Sequence, residues 1–189
     1  MDLEPFDRVL AAARAGEGWA LAEVFRDLHP RIRRYLKSLA PHLADDVASD
    51  TWLDLVRALD RFRGGVGDLR ALAFSIARTR LNEMRASGAG DQVDVEAVAA
   101  MPSIRTPMPA PAADLDPALS ALDTDAALER ILTLPTEQAE VILLRILGGL
   151  TIDEVSRTIG TSARAVRALE SDALRELALS TARDRSVTT

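Results

Sequence analysis

The stretch that decides the fold is TIDEVSRTIGTSARAVRALESDALREL, from Thr151 to Leu177, which contains two helical patterns separated by a glycine. Thr151 precedes Glu154 by three residues, the spacing of a capping box, in which each side chain binds a free backbone amide at the start of a helix. Gly160 stands where a helix ends in a left-handed residue, and Thr161 or Ser162 can cap a second helix. Two helices joined by about four residues around a glycine predict a helix-turn-helix.

The second of these helices carries three bases and three acids, an unusual balance for a surface that contacts phosphates. At about 100° per residue, its arginines and Ser171 share one outward sector, and the acids lie on the flanks of that sector. The sector can face a DNA groove. Its candidate contact residues are Ser162, Arg164, Arg167, Ser171 and Arg175. The alternative is a solvated helix whose acids pair with arginines three residues away.

Composition limits the possible classes of protein. Of the 189 residues, 48% are hydrophobic and only 4% aromatic, so Leu, Ile, Val and Ala must form the core, and we expect an all-α fold. Because there is no cysteine and there are only two histidines, His29 and His42, we expect no disulfide, no metal site and no cofactor. The N-terminus lacks the basic start of a signal peptide, and no apolar run is long enough for a membrane span. These features predict a soluble cytoplasmic protein that is not an enzyme.

Charge and proline content divide the chain into three parts. Residues 1–86 have a net charge of +1, and residues 121–189 a net charge of −3; both contain helical periodicity. Residues 87–120 have a net charge of −4 and five of the nine prolines, which predicts a flexible acidic linker between two small helical domains. Pro30 should kink or divide the second helix. The expected helices span about 4–15, 19–39, 44–60, 68–86, 122–133, 136–147, 151–158 and 162–179.

The helix near 44–60 has aspartates at positions i, i+4 and i+8 on the side opposite its expected buried face, with a leucine beside them. A row of carboxylates with an apolar neighbour suits a basic surface on a partner protein. The residues of this predicted protein-binding ridge are Asp46, Asp50, Leu53 and Asp54. The alternative is an ordinary solvated acidic face.

The helix near 68–86 carries a polar and cationic stripe on its outer side, and it follows the glycine-rich loop DRFRGGVGDLR at residues 60–70. Arginine can hold phosphates, Asn or Ser can reach base edges, and glycine lets backbone approach DNA closely. The candidate DNA contacts are Arg61, Arg63, Arg70, Ser75, Arg78, Thr79, Asn82 and Arg85. For stacking on unpaired bases, only Phe62 and Phe74 are near.

Three segments together resemble the bacterial RNA polymerase sigma factors of the extracytoplasmic-function type. These segments are ADDVASDTWLDLVRALDRFRG from Ala44, LRALAFSIARTRLNEMR from Leu69, and the stretch from Leu134 to Leu177 that contains the helix-turn-helix. They occur in the order of that family's regions 2 and 4. One departure is Leu72, which stands where the family usually has a tryptophan.

The resemblance implies a specificity subunit that binds core RNA polymerase and directs it to promoter DNA. Region 2, residues 1–86, would dock on the polymerase through the ridge and would melt and bind the −10 element. Region 4, residues 121–189, would bind the −35 element, and the linker 87–120 would lie along the RNA exit path. The resemblance also implies an anti-sigma factor as a further partner.

Two other functions remain open at this point. A stand-alone transcription regulator would use the helix-turn-helix on duplex DNA, but it leaves the ridge and the glycine-rich loop without a role. A sigma-like decoy would act through protein contacts, which the acids on the last helix favour.

Overall fold

The computed structural model describes residues 3–87 and 127–187, and side chains are described over 6–87 and 127–180. Apart from its first residue, the predicted linker 87–120 lies outside the described residues. All regular elements within the described ranges are helices, as the sequence predicts. None of them is long and apolar enough to cross a membrane.

The N-terminal lobe is a four-helix bundle formed by residues 3–87. Its buried residues are mainly Leu, Val and Ala, with Tyr35 and Phe74 as the largest fully buried side chains, whose rings pack edge to face at 5.4 Å. Two of the few aromatic side chains therefore lie fully inside the core. The four helices are α1 (Leu3–Arg14), α2 (Gly18–Leu39), α3 (Ala44–Leu59) and α4 (Val66–Ala86).

Of the two effects predicted for Pro30, a kink or a break in the second helix, the break does not occur, because α2 is one helix of 22 residues with Pro30 inside it. A proline in a helix costs one backbone hydrogen bond and crowds the preceding turn. Here the apolar stripe of α2 continues on both sides, with Phe25, Leu28 and Ile32 all buried. Packing of that stripe outweighs the local preference for a break.

The C-terminal lobe contains a helical segment over 127–132, here called α5, and three further helices. The predicted capping box is confirmed: the Thr151 amide donates to Glu154 at 2.7 Å, and the Glu154 amide donates to the Thr151 hydroxyl at 3.3 Å. Gly160 has φ of 73°, the left-handed conformation that the sequence predicts, and Ser162 caps the last helix through the Ala165 amide at 3.2 Å. The three helices are α6 (Thr136–Ile146), α7 (Ile152–Ile159) and α8 (Ala163–Val187).

The two lobes pack against each other, which the sequence did not predict. The main contact joins α4 to α7, and the buried residues of both lobes form one continuous cluster. Gly148 lies beside the Phe74 ring, and a β-carbon at this position would overlap the Leu144 carbonyl of its own lobe. Helix α8 packs on α6 and α7.

Candidate nucleic-acid and protein interfaces

The predicted ridge on α3 is only partly free. Asp46 and Leu53 are exposed, Leu53 by 53%, and Asp50 is half-buried. By contrast, the Asp54 carboxylate is 23% exposed and forms ion pairs with Arg57 at 3.2 Å and with Arg80 of α4 at 2.5 Å. The hydrogen bond to Asp54 raises the pKa of Arg80 above its ordinary value. Asp54 therefore joins α3 to α4, and Asp46, Asp50 and Leu53 form what we call the acidic face of α3.

The glycine-rich loop is held in place by α1. Arg14 donates to the Gly64 carbonyl at 2.5 Å, and its guanidinium lies 5.3 Å from the centre of the Phe62 ring. Arg63 donates to the carbonyls of Asp60 and Phe62 at 3.1 and 2.9 Å, and it remains exposed. The loop is therefore a fixed turn that presents Arg63 at the surface.

The predicted stripe on α4 divides into an exposed part and a covered part. Thr79, Asn82 and Arg85 are exposed, and Arg85 donates to the Leu39 carbonyl at 2.7 Å. Arg61 on the preceding loop is also exposed, whereas Ser75 is half-buried. The exposed part therefore continues from the loop to the last turn of α4.

Two arginines of the stripe are occupied by carboxylates. Arg70 pairs at 3.3 Å with Asp27, whose side chain is only 7% exposed, so this arginine joins α4 to α2. Arg78 pairs at 2.8 Å with Glu140 of α6, in the other lobe. Both guanidiniums already have an anionic partner inside the protein.

A cavity of about 370 Å³ lies where α4 meets α7. From the N-terminal lobe it is lined by the loop and by one side of α4, and from the C-terminal lobe by Arg157 and Thr158. The residues that the N-terminal lobe contributes are Phe62, Arg63, Asp68, Ala71, Leu72 and Ser75. The position where the family usually has a tryptophan, Leu72, thus belongs to the wall of this cavity.

The outward sector of α8 is exposed as predicted. Ser162, Arg164, Arg167, Ser171 and Arg175 are all exposed. Within the part of the chain that the structure describes, Arg164 and Arg167 make no ion pair, whereas Arg175 pairs with Asp172 at 2.9 Å. The sector is therefore cationic at the N-terminal end of α8.

The acids of α8 are largely neutralised by partners. Glu170 pairs with Arg145 of α6 at 2.8 Å, and Arg145 also donates to the Leu150 carbonyl. Glu170 thus fixes α8 on α6 and leaves Arg167 to solvent. The acids of α8 therefore do not cover the outward sector at Arg164 and Arg167.

Two sequence profiles match the chain. The profile described as Sigma-70 region 2 matches residues 24–88, and that described as Sigma-70, region 4 matches residues 124–177. Curated relatives carry the name ECF RNA polymerase sigma factor. SigD of Mycobacterium tuberculosis is 29% identical over 187 residues, covering 94% of this chain and 84% of SigD. ShbA of Streptomyces griseus is 27% identical over 172 residues, covering 86% and 87%.

The chain belongs to the ECF family of RNA polymerase sigma factors. As a sigma factor it binds core RNA polymerase and promoter DNA and directs transcription initiation; members of the family are generally DNA-binding regulators without enzymatic activity. The solved structure of CnrH in complex with the cytosolic domain of CnrY has the same fold, with a TM-score of 0.61 and 19% identity, covering 93% of this chain and 96% of CnrH.

The sequence missed the residues by which the sigma factor joins its two lobes. Tyr35, Asp68, Glu140 and Arg157 all contribute to ion pairs or hydrogen bonds across the contact. One signal was present: Val141–Leu144 is a run of four apolar residues, so this turn of α6 is apolar on every side, and all four side chains are buried. A helix of that kind needs neighbours all round, and α7 and α8 supply only some of them.

Within residues 3–87 and 127–187, no group of three or more His, Asp or Glu side chains is arranged to hold a metal ion.

Proposed function

We propose that this sigma factor has three separate binding surfaces, each on a different helix. The acidic face of α3 binds core polymerase, α4 with its preceding loop binds the −10 element, and the outward sector of α8 binds the −35 element. The domains are then 1–86 for region 2 and 121–189 for region 4, with 87–120 as the linker. The chain acts in the cytoplasm as a specificity subunit and catalyses no reaction itself.

The observation that carries this proposal is that all three surfaces keep exposed residues although the lobes are packed together. The acidic face retains an exposed leucine, Leu53, beside carboxylates that make no ion pair in the described part of the chain. An exposed apolar side chain among charges is typical of a docking surface. A basic surface on the polymerase would complement it and would fix its register.

For the −10 element, we propose that Asn82 and Thr79 contact bases and that Arg61, Arg63 and Arg85 contact phosphates. An exposed amide and hydroxyl on one side of a helix match base edges, and the arginines around them supply the charge. Arg70 holds α4 against α2 through its ion pair with Asp27. Ser75 is half-buried on the same helix, in the wall that α4 contributes to the cavity.

For the −35 element, we propose that α8 enters the major groove with Arg164 and Arg167 foremost, followed by Ser171 and Arg175. The N-terminal part of a recognition helix makes the base contacts in this motif. Ser162 at the N-cap lies beside the helix N-terminus, whose partial positive charge favours a phosphate.

We propose an anti-sigma factor as a further partner, one that covers the acidic face of α3. The support is the exposed leucine on that face, together with the CnrH complex, in which a protein of the same fold binds the cytosolic domain of CnrY. Such a partner would compete with core polymerase for the same surface.

To test which surface binds which promoter element, each protein variant is assayed on promoters that are altered at one element only. A promoter selected from a pool by run-off transcription with the holoenzyme is altered separately at its −10 and −35 elements. Asn82→Ala should make transcription less sensitive to −10 changes and keep full sensitivity to −35 changes, and Arg167→Ala should do the opposite. The assignment is overturned if both variants lose sensitivity to the same element or to neither.

A further inference from the structure

We propose that the cavity between α4 and α7 binds a nucleoside monophosphate as a free ligand. The cavity has a volume of about 370 Å³ and is lined by residues of both lobes. Polymerase and promoter binding, as proposed above, do not use a bound ligand, so this inference goes beyond the proposed function. The lining brings together a cationic part, an apolar part and a part that can form hydrogen bonds.

The size and the place of the cavity suit a small ligand. Binding sites for small molecules commonly measure about 300–1,000 Å³ and often lie between domains. This cavity is at the low end of that range, so it has room for a single nucleotide rather than for a larger cofactor. Leu72 forms part of its wall, and the tryptophan that the family usually has at this position would fill part of the space.

Two arginines make the lining of the cavity cationic. Arg63 comes from the glycine-rich loop and Arg157 from α7, whereas Asp68 is the single carboxylate among the described lining residues. Arg157 and Asp68 pair at 3.3 Å with side chains that are 62% and 46% exposed, so solvent screens this pair and a ligand can compete for the arginine. Guanidinium groups bind phosphate through parallel hydrogen bonds, so the excess positive charge favours a phosphate group.

Arg63 has donors available for a ligand and is already held in position. Its Nη1 donates to the carbonyls of Asp60 and Phe62 at 3.1 and 2.9 Å, which fixes the side chain on the loop. The other donors of its guanidinium make no hydrogen bond within the described part of the chain. Because the side chain is ordered before a ligand arrives, binding a phosphate costs it little further conformational freedom.

Phe62 and Leu72 provide an apolar part of the lining for a nucleobase. Arg14 holds the Phe62 ring with its guanidinium 5.3 Å from the ring centre, and the same ring lines the cavity. Leu72 is partly buried on α4 and lines the cavity as well. A base of any identity can pack on an aromatic ring, because every base has a flat π face. This part of the lining therefore favours a flat ring without selecting one base.

Ser75 and Asp68 favour a ligand that carries hydrogen-bond donors. Ser75 is half-buried in the cavity wall, and its hydroxyl makes no hydrogen bond within the residues that the structure describes, so a ligand can bond to it. The Asp68 carboxylate accepts from the Gly65 amide at 3.2 Å and has further capacity to accept. Sugar hydroxyls and base amino groups supply such donors, whereas a bare anion is repelled by the carboxylate. A nucleotide therefore fits this lining better than inorganic phosphate does.

The experiment compares nucleotides with their fragments on the full-length protein by isothermal titration calorimetry. Adenosine monophosphate and uridine monophosphate are the probes, and adenosine, uridine and inorganic phosphate are the fragments. Because a nucleotide uses the cationic and the apolar part together, at least one probe should bind about tenfold more tightly than either of its fragments. A gap between the lobes that holds only water would take up all of these compounds weakly and alike. That result, or no binding of either probe, overturns the proposal.

Two variants and one control locate the site of nucleotide binding. Leu72→Trp fills the cavity with the residue that the family usually has there, so the fold should tolerate it. Arg157→Gln removes one cationic group at an exposed position where folding is not at risk. Each should weaken nucleotide binding by about tenfold or more, whereas Arg26→Gln, which removes an exposed and ion-paired arginine on α2, should leave it unchanged. Unchanged binding in both cavity variants, or equal weakening in the control, disproves binding in this cavity.

Run-off transcription distinguishes a free nucleotide from a nucleotide of the promoter strand. Neither Leu72 nor Arg157 is among the proposed promoter contacts, so Leu72→Trp and Arg157→Gln proteins with core polymerase should give the same transcripts as wild type. If transcription falls together with nucleotide affinity, the cavity receives a base of the promoter, and the free-ligand proposal is overturned. If the wild-type protein binds the nucleotide but yields no promoter-specific transcripts, the proposed function fails while the nucleotide site stands.

Discussion

The Tyr35 hydroxyl donates a hydrogen bond of 3.0 Å to the carboxylate of Glu140, a residue 105 positions later in the chain. Burial and the neighbouring carboxylate raise the pKa of Tyr35 well above its ordinary value, so the hydroxyl stays protonated and remains a donor. The ring of Tyr35 also packs on Phe74, which lies beside Gly148 of the other lobe. One tyrosine therefore links the core of the N-terminal lobe to the polar contact between the lobes.

Tyr35→Phe should separate these two roles. The ring and its packing remain, but Glu140 loses one of its two donors from the N-terminal lobe. We expect the free energy of unfolding to fall by about 1 kcal/mol, the usual contribution of one hydrogen bond. Urea unfolding followed by circular dichroism measures it. A fall of several kcal/mol would mean that the ring itself is displaced, and an unchanged value would mean that the bond contributes nothing.

Asp50→Arg should weaken binding to core polymerase by about tenfold or more, because a charge reversal in a complementary interface adds repulsion as well as removing attraction. The side chain makes no ion pair in the described part of the chain, so the fold should be intact by circular dichroism. Asp7→Arg, an exposed reversal on α1, is the matched control. The docking role of α3 is disproved if the two variants bind core polymerase equally well.

Arg164→Ala combined with Arg167→Ala should reduce the salt dependence of binding to −35 DNA. An arginine brought into the groove displaces about one condensed cation from the DNA, so each arginine lost lowers the slope of log affinity against log salt by about one, and the double variant should lose about two. Arg26→Ala, an exposed arginine on α2, serves as the control. Fluorescence anisotropy with duplex DNA at several salt concentrations measures the slopes, and equal slopes would show that this sector does not face DNA.

His29 should make the protein less stable below neutral pH. Its ring stacks on Phe25 at 4.4 Å, and burial together with Arg33 lowers its pKa from 6.5, against an opposing effect of Asp45. The unfolded chain therefore takes up a proton before the folded one does. Stability is fully present above about pH 6.5 and falls as the pH is lowered below it.

Thermal unfolding from pH 7 to about 5.5, above the range in which carboxylates titrate, measures this effect. His29→Gln should make the unfolding temperature depend less on pH, whereas His42→Gln, at an exposed position, should leave this dependence as in the wild type. A wild-type protein that becomes more stable on acidification in this range would contradict the assignment.

The local features of the fold were predictable because short-range chemistry determines them. The capping box of Thr151 and Glu154 and the left-handed Gly160 follow from spacing and residue type. Pro30 shows the limit of such rules, since a local preference for a break was outweighed by an apolar stripe on both sides of it.

The contact between the lobes was not predictable in the same way. Glu140 meets Tyr35 and Arg78 across 105 and 62 residues, and no periodicity specifies such a pairing. Tertiary structure also decides which charged side chains of a surface form ion pairs. Asp50 and Asp54 belong to the same row of aspartates on α3, but of these two only Asp54 has arginines within reach. The surfaces could be predicted from sequence, whereas the partners of their individual charges could not.

The central claim is that separate surfaces of this sigma factor bind the polymerase and the promoter at the same time. Run-off transcription with purified core polymerase on a pool of promoter fragments tests it most directly, with wild-type and Asp50→Arg proteins compared side by side. We predict discrete transcripts from a subset of promoters with the wild-type protein and few with the variant. A wild-type protein that binds core polymerase but yields no specific transcripts, or that binds the same promoters without polymerase, would contradict the account.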